Sequence, residues 1–458
     1  MSRGNGFTTR RRFLAGVAGL TGAAIAAACG TVPVADSGEM MEEKEAPAEA
    51  EAAPEAEVVE VVWACYDLQE HRNATLRQMA EVCNNTLENR VTKLEIVTEN
   101  FLEKIRTEFV AGTTTYDIVV NQINWVQAGA RTGMFLPISD YMKRDGVSRD
   151  DYLDSSSWEV NGIMYGLAFL GGGDAIYFNK DLFDNDGVPY PELGTTYEQL
   201  LDGAAKMTKQ TGDETTQWGY NFGYASLEVN LGSFILDSGG QVLNEARDMA
   251  LYGEDQNAIA GAQFYVDMIL KHRVVPWGEA RQALREEGGS GRHIGTGKVA
   301  MSQITLIPLK GAYEVLGDRL GIAPLATGPA GTRSPATGSN AWSIMSLTEV
   351  PDAAWDVFYV LSQKEAQDLY AVHAHPGLFA SADVFLGNYP GMDWDIVLDH
   401  WRDGGRDFFL TPETGEFWTT ANQHLQPMYT GESTVQEAMK TSADAVNELF
   451  AQRPDDWN

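Results

Sequence analysis

From Val58 onward the sequence predicts an α/β fold built as two lobes. Apolar runs of strand length alternate with segments whose apolar residues recur at helical spacing. The stretch from Val58 to Asn458 holds roughly 400 residues, more than one hydrophobic core ordinarily organises. Hydrophobic residues make up 44% of the chain, enough to fill two cores. No window of this body is apolar over the ~20 residues needed to cross a bilayer.

Val58–Ala64 reads as a buried strand, and Leu76, Met79, Ala80, Cys83 and Leu87 then share one helical face. Lys93–Val97 and Tyr116–Val120 read as short buried strands, with Phe101–Val110 helical between them. Thr195 and Glu198 stand at capping-box spacing, and the helix that follows buries Leu200, Leu201, Ala204 and Met207. Ile259, Ala262, Val266, Ile269 and Leu270 mark another amphipathic helix. Pro351 suits a first helical turn, with Ala354, Val357, Phe358 and Leu361 facing inward. Val435, Met439, Val446 and Phe450 close the chain in the same way, and there is no internal repeat.

Cys65 and Cys83 are the only cysteines of the body. In a strand-then-helix unit Cys65 ends the strand while Cys83 lies about 18 Å down the returning helix, at roughly 1.5 Å per residue. A disulfide needs Cα atoms within about 7 Å, so two buried free thiols are expected.

Ahead of the body, residues 1–29 carry Arg10-Arg11-Arg12-Phe13-Leu14 and a short Gly/Ala-rich apolar run ending at Ala26-Ala27-Ala28-Cys29. The run is too short to span a membrane and resembles a twin-arginine export signal closed by a lipoprotein processing site. Ala26 stands where such sites favour Leu. Cys29 is the expected lipidation site, and the implied location is extracytoplasmic, anchored to the cell membrane. Residues 30–57 are mostly Ala, Glu, Pro, Met and Val, with no aromatic residue. Such a segment cannot offset its ordering entropy, so a disordered acidic linker spanning roughly 30 Å is expected.

Formal charge is −32, and removing residues 1–28 deletes four arginines and no acid, giving −36. So acidic a chain with no basic cluster is unsuited to nucleic acid. Catalytic motifs are absent. Gly295-Thr296-Gly297-Lys298-Val299 lacks the Ser or Thr of a P-loop, and Asp184-Asn185-Asp186-Gly187 fails the calcium pattern at Val188 and Thr195. His373-Ala374-His375 has no third ligand signalled nearby, and no G-x-S-x-G elbow occurs. The expectation is a non-enzyme with neither metal nor cofactor.

One block is far more specific. Asn161-Gly162-Ile163-Met164-Tyr165-Gly166 leads through Gly171-Gly172-Gly173-Asp174 into Tyr177-Phe178-Asn179-Lys180-Asp181-Leu182-Phe183, followed by Gly187 and Thr196-Tyr197-Glu198. Asp237-Ser238-Gly239-Gly240, Gly297-Lys298-Val299-Ala300-Met301, Ile322-Ala323-Pro324-Leu325 and Ala353-Ala354-Trp355 come later, in the same order. Together these closely resemble the signature of family 1 extracellular solute-binding proteins, the group that includes maltose-binding protein, with Tyr197 in place of the usual Trp. The resemblance implies a two-lobed periplasmic-binding-protein-like fold with a hinge and a ligand cleft between discontinuous lobes. It also implies a monomer that captures a solute, often a sugar, and hands it to an ABC permease.

Carried onto this chain, the resemblance sets a first crossover near Gly171–Gly173, a second near Leu320–Leu325 and a third near His373–Pro376. Lobe 1 would comprise 58–171 plus 322–372, and lobe 2 would comprise 174–320 plus 376–458. Because α/β sheets bind at the carboxyl ends of their strands, the ligand candidates are loop residues. Tyr66 and Asp67 follow the first strand, Asn124 and Trp125 the third, and Asp174 sits at the crossover. Tyr224, Glu228, Gln303, Asn340, Trp342, His375 and Phe379 complete the set. Aromatic planes suit the C–H faces of a sugar, while acids and amides suit its hydroxyls. An anion site would want Arg or Lys in these loops, which are acidic and aromatic instead. A polyamine would fit acids and aromatics through cation–π contacts, making it the competing solute. A lipoprotein hydrolase is the third reading, and it lacks a nucleophile constellation.

Overall fold

The computed structural model describes residues 58–454, apart from Gln69, Asp213 and 306–308, and without the side chains of 288–292 and Arg402. The signal and linker, 1–57, lie outside the described residues.

The first four elements arise where the apolar pattern places them. Strand β1 (Val59–Tyr66) pairs in parallel with β2 (Arg90–Val97) through the intervening helix Glu70–Thr86, and with β3 (Ile118–Gln122) on its other side. Cys65 in β1 and Cys83 in the helix are free and buried, as their separation predicts. A small hairpin follows, β4 (Glu159–Val160) and β5 (Ile163–Met164). Its turn residues Asn161 and Gly162 both have positive φ, 53° and 79°. That is the two-residue turn an Asn-Gly pair favours, which gives the first signature piece a structural reason.

Strand β6 (Leu167–Asn179) organises the rest. All thirteen of its residues are buried. Its first half pairs antiparallel with β11 (Thr337–Ile344) and touches β12 (His375–Pro376); its second half pairs with β9 (Val299–Thr305) and β10 (Leu320–Ala323). β11 also pairs with β3, while β9 continues to β8 (Glu214–Phe222) and β7 (Lys209–Thr211). The sheet therefore runs through both lobes, with β6 as the shared strand.

Each half of β6 feeds a separate core. Before Gly171, Phe169 stacks on Trp342 at 3.8 Å, and Trp342 meets Trp63 edge-on at 4.8 Å, with Trp355 and Phe358 behind. After Asp174, Ile176 and Phe178 join a core containing Phe222, Phe234, Tyr265 and Met428. A third cluster gathers Tyr177, Phe385, Trp394 and Trp401. Each fully buried side chain of this size stabilises by about 1.5–3 kcal/mol before entropy is counted. Ile322, Ala323, Leu325 and Ala326 pack in the second and third clusters, and the chain rejoins the first-lobe sheet only at Thr337. These residues of 322–326 thus pack with the clusters fed by the second half of β6.

The glycine triplet inside β6 has two distinct causes. Gly172 has φ 138°, a region that L side chains rarely adopt. At Gly173 a Cβ would stand 2.5 Å from the Trp401 ring, so close packing excludes a side chain there. One helix start differs from the expected register. Thr196, not Thr195, is the N-cap of the helix Tyr197–Met207, and Gln199 closes a true capping box with it. Thr195 Oγ1 instead accepts from the Glu192 backbone N–H.

Candidate functional site

Where β1 and β3 end and β11 begins, facing the loops after β8 and β9, a cavity of about 340 Å³ opens between the lobes. Tyr66, Gln122, Asn124, Ser339 and Asn340 supply its first-lobe wall; Tyr224, Glu228, Val229, Thr305 and Trp418 supply the other. Phe408 lies at the junction, where Gly338 lets it approach the sheet: a Cβ at Gly338 would be 2.3 Å from its ring. Trp418 donates its indole N–H to the Phe408 carbonyl at 3.0 Å and packs against both large cores.

The polar centre of the first-lobe wall is a trio. Gln122 Nε2 and Asn340 Nδ2 both donate to the Tyr66 hydroxyl, at 3.0 and 3.1 Å. With both lone pairs engaged, that hydroxyl has its own proton left to give. The two amide oxygens remain as acceptors. Burial pushes the Tyr66 phenol above its ordinary pKa, so it stays a donor. Trp125 meets the Tyr66 ring at 6.5 Å and holds it from behind.

Opposite, Glu228 is fixed by Asn422, whose Nδ2 donates to Oε2 at 2.7 Å while its Oδ1 accepts from the Leu227 backbone. Burial raises the Glu228 pKa. Tyr224 is anchored through its backbone N–H, which Asn230 Oδ1 accepts at 2.8 Å. Beyond Tyr224 and Glu228 the cleft continues into a space of about 470 Å³ that Trp277, Arg281, Arg285 and Gln426 also line. A smaller pocket of about 270 Å³ opens behind Tyr224 onto the same two arginines, Asn221 and His293.

Residues 92–368, more than half of the chain, match the sequence profile of the bacterial extracellular solute-binding proteins. The chain belongs to that family. A binding protein of Brucella abortus is 26% identical over 273 residues, which cover 58% of this chain and 62% of that relative. The chain thus spans less than two thirds of the length of the curated relatives it matches. Among solved structures, an ABC substrate-binding protein of Listeria monocytogenes in complex with cycloalternan superposes with a TM-score of 0.74 at 16% identity. That likeness covers 86% of this chain and 99% of the other. The maltotriose-bound maltose/maltodextrin-binding domain of Bdellovibrio bacteriovorus gives 0.70 at 16% identity, covering 86% and 100%. The fold is the two-lobed one of these solute-binding proteins.

Within this solute-binding protein the twelve candidate residues divide. Tyr66, Asn124, Tyr224, Glu228 and Asn340 line one cavity together. Trp125 supports it from the second layer. Asp174 and Gln303 are buried and bonded to each other, Gln303 Nε2 donating to Asp174 Oδ2 at 2.6 Å, and neither lines the cavity. Trp342 is wholly in the first core. His375 is buried against Phe385 and Trp401, and its pKa is lowered to about 4 by burial. Asp67 accepts from Asn73 near the surface, and Phe379 is exposed on a short helical turn away from the cavity.

Gln122, Phe408 and Trp418 were missed by sequence reasoning. Gln122 ends β3, two residues before Asn124, so the strand-end rule could have included it. Phe408 and Trp418 come from the C-terminal segment and carried no local signal. Among the described residues no group of three or more His, Cys, Asp or Glu could hold a metal, and no helix is long and apolar enough to cross a membrane.

Proposed function

We propose that this solute-binding protein captures a carbohydrate in the cleft between its lobes and delivers it to an ABC permease. The observation that carries the reading is the Tyr66–Gln122–Asn340 trio set among the rings of Tyr224, Phe408 and Trp418. A neutral hydroxyl donor beside two amide acceptors matches the paired donor–acceptor character of sugar hydroxyls, and flat rings match sugar C–H faces. The solved structures with the same fold include proteins bound to cycloalternan, maltose and maltotriose, which supports a saccharide. Closure about β6 near Gly172 and anchoring through a lipidated Cys29 belong to the same proposal. Ligand contacts from both lobes favour the closed form by their differential affinity.

Native mass spectrometry of the freshly purified protein, with calorimetric titration against a carbohydrate panel, tests this. A co-purified or titrated saccharide is the expected result, with a smaller radius of gyration at saturation in small-angle scattering. Stabilisation by spermidine and by no carbohydrate would remove the reading and leave the family assignment standing.

A further inference from the structure

We propose that the second-lobe arm of the cleft is an anion subsite, in which Arg281 and Arg285 receive a negatively charged substituent of the bound carbohydrate. This rests on the carbohydrate reading above and narrows it to acidic saccharides bearing a carboxylate, phosphate or sulfate.

The two arginines stand four residues apart on the helix Glu279–Arg292, so their side chains emerge on one face. Both turn to one acceptor: Arg281 Nη2 donates to the Gly223 carbonyl at 3.1 Å, and Arg285 Nη2 reaches the same oxygen at 3.5 Å. Arg281 also lies over the Trp277 ring, 5.3 Å from its centre, which fixes the plane of the guanidinium. Among the described residues neither forms an ion pair. The chain has 65 acidic side chains against 33 basic ones, so leaving two adjacent cations without a carboxylate runs against its composition.

Two other arginines of the second lobe do carry carboxylate partners. Arg453 is paired with Glu413, and Arg247 with Asp407. The helix that carries Arg281 and Arg285 spends its own acids on other partners, Glu287 on Lys298 and Glu286 on Gln282. Burial, with the neighbouring Arg285 charge, lowers the Arg281 pKa, so an anion at this place would favour its charged form.

Position completes the argument. Tyr224 walls the central cavity and both spaces that the arginines line. A sugar ring lying on Tyr224 would direct a substituent straight to the pair. Two planar guanidiniums offer forked donors that suit a carboxylate or an ester oxyanion better than any hydroxyl. The same pair speaks against a polyamine, which would meet two positive charges at this end of the cleft.

Titration calorimetry on the purified full chain, on Arg281→Gln and on Arg285→Gln separates the outcomes. The probes are maltotriose, a galacturonate trimer, glucose 6-phosphate and a sulfated disaccharide, each at low and at physiological salt. An acidic probe should bind at least about tenfold tighter than the neutral one, lose about that factor in either variant, and weaken with salt. The probe that does so tells carboxylate from phosphate and sulfate. Arg285 is exposed, so its variant tests the subsite even if the Arg281 change disturbs packing. Neutral binding as tight as acidic binding, or unchanged affinity in both variants, overturns the subsite and keeps the carbohydrate reading. Binding of no probe overturns both.

Discussion

Asp174 and Gln303 are joined by a 2.6 Å hydrogen bond between neighbouring strands of the shared sheet. Asn230 donates to the same carboxylate oxygen at 3.4 Å and with its own oxygen holds the Tyr224 backbone. The aspartate at the crossover thus reaches the cavity through a relay, and it supports the wall without standing in it.

Asp174→Ala should therefore cost stability first. It strands the amides of Gln303 and Asn230, both buried, at about 2–3 kcal/mol together. Urea unfolding should show that loss, and ligand affinity should fall only as far as Tyr224 is loosened. Full stability with abolished binding would instead make Asp174 a direct ligand.

Tyr66→Phe should do the reverse. The cavity admits water to Gln122 and Asn340, so unfolding should shift little. Loss of the hydroxyl removes one ligand bond worth about 1 kcal/mol, which is a five- to tenfold weaker affinity. Calorimetric titration beside a melting curve separates the two effects.

A pH effect follows from Asp154. Its carboxylate accepts from Ser157 Oγ at 2.6 Å and Ser339 Oγ at 3.1 Å, yet burial raises its pKa from 3.8 to about 7. A carboxyl whose folded pKa lies above its unfolded one favours the folded state while protonated. That contribution is complete below pH 3.8 and is lost as pH rises through about 7. Asp154→Asn removes the titration, and Asn tolerates the φ of 54° at this position. The melting temperature of the variant relative to the parent should rise between pH 5 and pH 8. Parallel curves would show that the carboxyl does not titrate there.

If the proposed lipidation of Cys29 supplies the attachment, Cys29→Ser should release the protein from membranes while leaving its melting temperature and ligand affinity unchanged. Fractionation with mass measurement of the N-terminal peptide checks this. A variant that stays on the membrane would disprove lipid anchoring.

Much of the fold was legible because alternating strands and helices leave clear periodicities, as at Phe101–Val110, which forms as read. Half of the site was legible for a related reason. Tyr66 ends β1 and Asn124 follows the end of β3, where the sheet geometry forces an α/β cleft, and Asn340 stands across from them in the first half of β11. Trp418 was not, because its helix shows Phe417, Ala421, Leu425 and Met428 as the buried stripe, and the adjacent tryptophan looks like surface. Asp174 and Gln303 are buried against each other outside the cavity lining, and sequence does not tell an amide facing a cleft from one facing a buried carboxylate. Arg281 and Arg285, four apart on a helix with as many acids as bases, carry no local signal that sets them apart.

The continuity of β6 has a consequence for how this molecule comes apart. Thirteen consecutive buried residues are held by one set of neighbours up to Gly173 and by another from Asp174 on. Neither lobe owns a complete set of strands without its piece of that segment, so a gene cut at the crossover should yield two insoluble halves. Heat should melt the two lobes in a single transition.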